Sequence, residues 1–209
     1  MPSPTNSTPS KTSTYLVLGL LAGAAGLIYL ATKRSDASRE FETNPEKHLE
    51  LVADSEPGDI LLFYDGWGVD KLICRVTGSP YYHAAIYAGE NQTVEASTPG
   101  VLRRELYGRK EAFVVAPAPK GKGRAAFEWA ETQIGKGYDP FSLVMIVVDR
   151  ICRLIHFNYT SNSRYSCGEF VATAFHQAGE KLFPDQELSE VIPGDFARLL
   201  PPSKVICKK

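Results

Sequence analysis

The sequence predicts an α+β domain, an antiparallel sheet packed against helices, preceded by one N-terminal transmembrane helix. Three observations predict it. Between Pro57 and Ala116, short aliphatic and aromatic runs alternate with Gly, Pro or Asn. After Lys122 apolar residues recur at helical spacing, and Tyr15 to Ala31 carries no charge. Strands first and helices second, not alternating, argue for helices gathered on one side of a sheet.

The chain has 209 residues, 44% of them apolar and 22% charged, so it is neither disordered nor a collagen-like repeat. Its formal net charge is -1 and it contains no long basic run, which argues against nucleic acid as a partner. Residues 1–14 form a Pro/Ser/Thr tail with almost nothing to bury. Residues 15–32 are read as the membrane anchor: the 17 uncharged positions from Tyr15 to Ala31 span about 26 Å as a helix, near the lower limit for a bilayer core. A cleaved secretory signal fits less well, because Lys33 and Arg34 follow directly and only Lys11 precedes. The excess of Lys and Arg on the C-terminal flank favours a cytoplasmic domain, but the bias is small and leaves the side of the membrane open. Gly19 and Gly23, with Ala22 and Gly26, make a small-residue face suited to helix self-association. Residues 33–56 are a polar spacer or helical lead-in, and residues 57–209 the globular domain.

Within that domain the expected strands are Asp59 to Tyr64, Tyr82 to Tyr87, Gln92 to Ser97, Val101 to Tyr107 and Ala112 to Ala116. Arg124 to Ile134 reads as a helix closed by Gly135, with Phe127, Ala130 and Ile134 on one face. Asp139-Pro140 then starts another by N-cap and first-turn proline, running through the very apolar stretch to Phe157. Asp149, Arg153 and His156 interrupt that stretch as one polar stripe, so it is read as a buried domain helix, or as the wall of an apolar cleft.

Cys74, Cys152, Cys167 and Cys207 form no C-x-x-C pair, which supports neither a zinc site nor a disulfide framework. Cys167 stands apart. Ser166 and Glu169 have the S-x-x-E spacing of a capping box, which puts Cys167 at the first helical position, where the helix dipole favours a thiolate. It also begins the apolar stripe Phe170, Val171, Ala174 and Ala178, so it faces the body of the domain. The bland alternative, a small buried hydrophobe, is accepted for the other three.

Among four histidines, His176 falls on the opposite face of the Cys167 helix, His48 in the spacer and His156 on the polar stripe. His83 opens an apolar strand. If Gly89-Glu90-Asn91 turns the chain so that Ala88 pairs with Gln92, then Ala85 faces Glu95, and His83 and Glu95 project from one face. A one-residue slip would separate them. Cys167 as nucleophile, His83 as base and Glu95 as orienter would make a complete acyl-transfer triad. The N–H groups opening the Cys167 helix, with Tyr165 or Tyr138 as weaker hydroxyl donors, would stabilise an oxyanion. Ser97 lies near the same strand face. No H-E-x-x-H, phosphate-cradling glycine loop or zinc-ligand spacing occurs, so no cofactor and no metal are expected.

The stretches Pro57-Gly-Asp-Ile-Leu-Leu-Phe, His83-Ala-Ala-Ile-Tyr, Val94-Glu-Ala followed by Gly100-Val, Tyr165-Ser-Cys-Gly-Glu-Phe and Ile192-Pro-Gly-Asp-Phe resemble, in that order, the circularly permuted branch of the NlpC-type papain-like superfamily, the YiiX-like amidases. The resemblance covers roughly residues 57 to 200. It implies a permuted papain-like fold in which the histidine and carboxylate strands precede the cysteine helix, with Cys167, His83 and Glu95 in the roles above. Gly168 departs from it, standing where relatives commonly have Ser. It further implies a bacterial envelope location and a peptide, cell-wall or lipidated substrate. The expected activity is that of a membrane-anchored cysteine hydrolase, a thiol protease or amidase. A lipid-directed thioesterase or acyltransferase on the same fold, and an inactive binding module, are the alternatives.

Overall fold

The computed structural model describes residues 44, 46–139 and 164–202. The tail 1–14, the anchor 15–32, most of the spacer, the helix expected after Asp139-Pro140 with Cys152 and His156, and Cys207 lie outside the described residues. No helix among the described residues is long and apolar enough to cross a membrane.

The described chain is α+β. It runs α1 (Glu46–Val52), β1 (Ile60–Tyr64), α2 (Val69–Thr77), β2 (Tyr81–Gly89), β3 (Gln92–Ser97), β4 (Gly100–Glu105), β5 (Ala112–Ala116), α3 (Gly123–Thr132), β6 (Gly137–Tyr138), β7 (Arg164–Tyr165), α4 (Cys167–Gln177), a 3-10 turn (Leu188–Glu190) and α5 (Pro193–Leu199). The strands form one mixed sheet in the order β5-β1-β2-β3-β4-β6-β7, antiparallel throughout except for the parallel β6/β7 pair.

Both faces of the sheet are covered, which explains why β1 reads as an unbroken apolar run and not as an alternation. On one face Ile60, Leu62, Ala84, Ile86, Val94 and Ala96 pack against α3, α4 and α5 through Phe127, Phe170, Val171 and Phe196. On the other, Leu61, Phe63, Ala85, Tyr87 and Phe113 pack against Leu51 and Val52 of α1. The packed body therefore includes α1, in the segment read as a spacer or helical lead-in.

One expectation needs correction. Strands do not end before Lys122: β6 and β7 follow α3, each only two residues long, too short to leave any periodicity in the sequence. The Cys167 helix packs on the strand of His83, on the face opposite the imidazole. The body of α4 packs on the even-numbered residues of β2 and β3, whereas His83 belongs by alternation with Ala85 and Tyr87 on the opposite face.

The Pro57-Gly-Asp motif locks the start of β1 onto α3. A Cβ at Gly58, whose φ is +106°, would sit 2.1 Å from the backbone carbonyl of Gly123. The Asp59 carboxylate accepts the Ala118 N–H at 2.9 Å and the Glu56 N–H at 3.0 Å.

Candidate active site

The β2–β3 hairpin decides whether His83 and Glu95 share a face. Its turn is Glu90-Asn91, with φ of 49° and 60°, values that suit a two-residue turn with both central residues left-handed. Gly89 pairs with Gln92, not Ala88 as expected from the sequence. A β-bulge between Tyr87 and Gly89 then absorbs one residue, so that Tyr87 pairs with Thr93 and Ile86 with Val94. Continued one step, that register sets Ala85 opposite Glu95, as the expected face-sharing requires. Without the bulge, the two-residue turn would have turned Glu95 away from His83.

His83 and Glu95 do meet: Nε2 lies 3.5 Å from Glu95 Oε2, with the side chains 13% and 0% exposed. Phe63, directly across from His83 on β1, packs its ring 5.4 Å from the imidazole, and Tyr82 stacks at 6.5 Å. The Cys167 side chain interacts with the imidazole as well. Burial alone would push the imidazole pKa down. The Glu95 charge and the proximity of Cys167 outweigh it, so that His83 is raised to about 9.

Cys167 is 5% exposed and opens α4 directly after β7. The capping box forms as the sequence indicates: Ser166 Oγ accepts the Glu169 N–H at 3.3 Å and Glu169 Oε2 accepts the Ser166 N–H at 3.3 Å. Since the helix body packs on the other face of the sheet, only its N-terminal tip reaches His83. Gly168 is explained here as well. A Cβ at this position would lie 2.0 Å from the Val191 carbonyl oxygen. The Ile192-Pro-Gly-Asp motif holds that carbonyl in place, with Asp195 Oδ2 accepting the Ile192 N–H at 2.9 Å. Gly168→Ser therefore forces α4 and α5 apart, and an overpacking cost of about 1–3 kcal/mol is expected in urea unfolding.

Glu95 is the most heavily partnered side chain of the site. Besides His83, Oε2 accepts from Arg109 Nη1 at 2.8 Å and from Thr93 Oγ1 at 3.2 Å. Oε1 faces Arg104 Nη1 at 3.3 Å and accepts from Ser97 Oγ at 3.4 Å. Burial raises the carboxyl pKa, but His83 and Arg109 together pull it well below the ordinary carboxylate range. Ser97 thus touches the carboxylate and not the imidazole.

The two tyrosines separate. Tyr138 borders the thiol: burial first, then the Cys167 charge, raises its phenol pKa. Tyr165 turns into the helical layer, its hydroxyl donating to Gln133 Oε1 at 3.4 Å and its ring packed on Trp129 and Phe170. It supplies no hydroxyl beside Cys167.

Sequence reasoning missed Thr93, Arg104, Arg109 and Asp70. Thr93 was legible, being two positions before Glu95 on the same strand face. Arg104 pairs with Thr93 across β3 and β4, legible only with that register in hand. Arg109 comes from the loop before β5 and carries no local signal. Asp70, in the first turn of α2, faces the site from a third direction; burial raises its pKa, while the His83 charge and the Trp67 N–H pull it down.

A buried thiol beside an imidazole whose Nε2 faces a buried carboxylate is an arrangement competent for nucleophilic catalysis. Compared with known proteins, this chain matches no family model and no curated protein.

Proposed function

We propose that this chain is a membrane-anchored cysteine hydrolase that cleaves an amide bond with Cys167, His83 and Glu95, on a circularly permuted NlpC-type papain-like fold. The observation that carries the reading is the continuous contact from Cys167 through the His83 imidazole to the fully buried Glu95. The anchor would be residues 15–32, an uncharged segment near bilayer length.

In this reading His83 takes the thiol proton, and Cys167 Sγ attacks the carbonyl carbon. The resulting oxyanion is met by the N–H groups of Cys167 and Gly168 at the start of α4, the Glu169 N–H being already taken by Ser166 Oγ. His83 returns the proton to the leaving nitrogen as the C–N bond breaks, leaving a thioester. Water then gives a proton to His83 and attacks the thioester. The C–S bond breaks, the thiol is restored and a carboxylic acid departs. Glu95 holds the imidazole in one orientation and balances its charge while the proton is on it.

Chloroacetamide labelling of the full chain in detergent, followed site by site with mass spectrometry, tests this reading. Cys74 is the internal control: burial, then the Asp70 charge, pushes its thiol up to about 11, and its Sγ donates to the Pro80 carbonyl at 3.3 Å. Cys167 is expected to label in preference to Cys74 at neutral pH, and to lose that selectivity in His83→Ala. Equal labelling of Cys74 and Cys167, or a His83→Ala profile identical to the wild type, would overturn it.

A further inference from the structure

Arg109 is buried at 8% exposure, an unusual place for a guanidinium, and the triad as described does not use it. It is held on two sides. Its Nη1 donates to Glu95 Oε2 at 2.8 Å, and its planar head lies 4.2 Å over the Phe63 ring, the same ring that packs against His83. Glu95 Oε2 is therefore shared between Arg109 at 2.8 Å and His83 Nε2 at 3.5 Å, with the guanidinium holding the closer position.

A carboxylate buried against an imidazole, with no other cation, stabilises the imidazolium strongly. Such a histidine takes a proton readily and returns it poorly, yet the proposed reaction needs both transfers. We propose that Arg109 is a positioning residue of this site, which keeps Glu95 ionised and draws it away from His83 so that the imidazole can release its proton to the leaving group. The inference rests on the hydrolase reading above. A lysine could supply the charge but not the flat head that stacks on Phe63 while bonding the carboxylate.

The other charged or titratable groups around the pair are Arg104 from β4, Tyr82 from β2, Glu111 before β5, Asp70 from α2 and Cys167 from α4. Arg104 is 42% exposed and solvent screens it, so Arg109 is the dominant cation on Glu95. Without it, the state in which the His83/Glu95 pair has lost its shared proton carries an uncompensated buried charge. Loss of that proton then moves to higher pH, whichever of the two residues holds it.

The test is an NMR titration of the histidine-labelled full chain, with Arg109→Met and Arg109→Lys beside the wild type. In Arg109→Met the His83 midpoint is expected to rise by about one pH unit. Arg109→Lys is expected to restore about half of that shift, and kcat to fall in Arg109→Met with KM unchanged, because Arg109 touches no substrate. A folded Arg109→Met with an unmoved midpoint overturns the proposal. If Arg109→Met does not fold, Arg109→Lys decides: a midpoint equal to the wild type overturns the proposal, and a rise of about half a unit supports it. The titration needs no turnover. An inert wild type with a moved midpoint would remove the hydrolase reading alone, and an active wild type with an unmoved midpoint would remove the role of Arg109 alone.

Discussion

Cys167→Ala is expected to lower amide hydrolysis by about 10⁴-fold or more, since it removes the atom that forms the thioester. His83→Ala is expected to lose about 10²–10⁴-fold, the usual worth of a positioned acid–base group. The double variant should be no slower than Cys167→Ala, because the two side chains act as one unit and their losses do not add. Single-turnover hydrolysis of an amide substrate found by screening measures all three. A Cys167→Ala chain that turned over at the wild-type rate would place the chemistry elsewhere. The predicted losses follow from the interaction of Cys167, at the head of α4, with the His83 imidazole.

Glu95→Gln should produce the largest stability change, a loss of about 3–5 kcal/mol in urea unfolding followed by tryptophan fluorescence. The substitution preserves the size of the side chain but removes the negative charge facing Arg109, Arg104 and His83. The buried Arg109 guanidinium would then be left without its closest carboxylate. The pH dependence should change sign as well. In the wild type the folded His83 pKa is about 9 against an ordinary 6.5, so its contribution to stability is fully present below about 6.5 and lost as pH rises through about 9. In Glu95→Gln, burial and the neighbouring arginines push the imidazole pKa below its ordinary value. The unfolded chain then binds more protons near neutrality, and stability rises with pH through that range. A parallel pH course for the two proteins would show that Glu95 does not control His83.

The elements most legible in the sequence are those whose determinants are local. The capping box at Ser166 and Glu169 needs only a spacing of three, and it sets Cys167 at the head of α4 as expected. The runs that became β1, β2, β3 and β5 are bounded by their own turn residues, and the structure moves their ends by two residues at most. The hairpin was legible in outcome but not in construction. Glu90-Asn91 is a two-residue turn, and the bulge that restores the register depends on how β2 lies between β1 and β3. No window of sequence contains that information.

Beyond such windows the sequence was silent for physical reasons. A two-residue strand such as β6 has no period, so its pairing with Gly100 and Arg164 emerges only when those backbones are brought side by side. Gly168 looks like a mild departure until the Val191 carbonyl is seen to occupy the space of its Cβ. Arg109, fourteen residues after Glu95, becomes its nearest cation because β4 and the loop beyond it fold the chain back over β3. Local propensity and capping therefore dictated which residues could react and on which elements they stand. Which charges surround those residues, and so how tightly His83 holds its proton, was set by long-range packing, because Coulomb energies follow distance in space and burial, not separation along the chain.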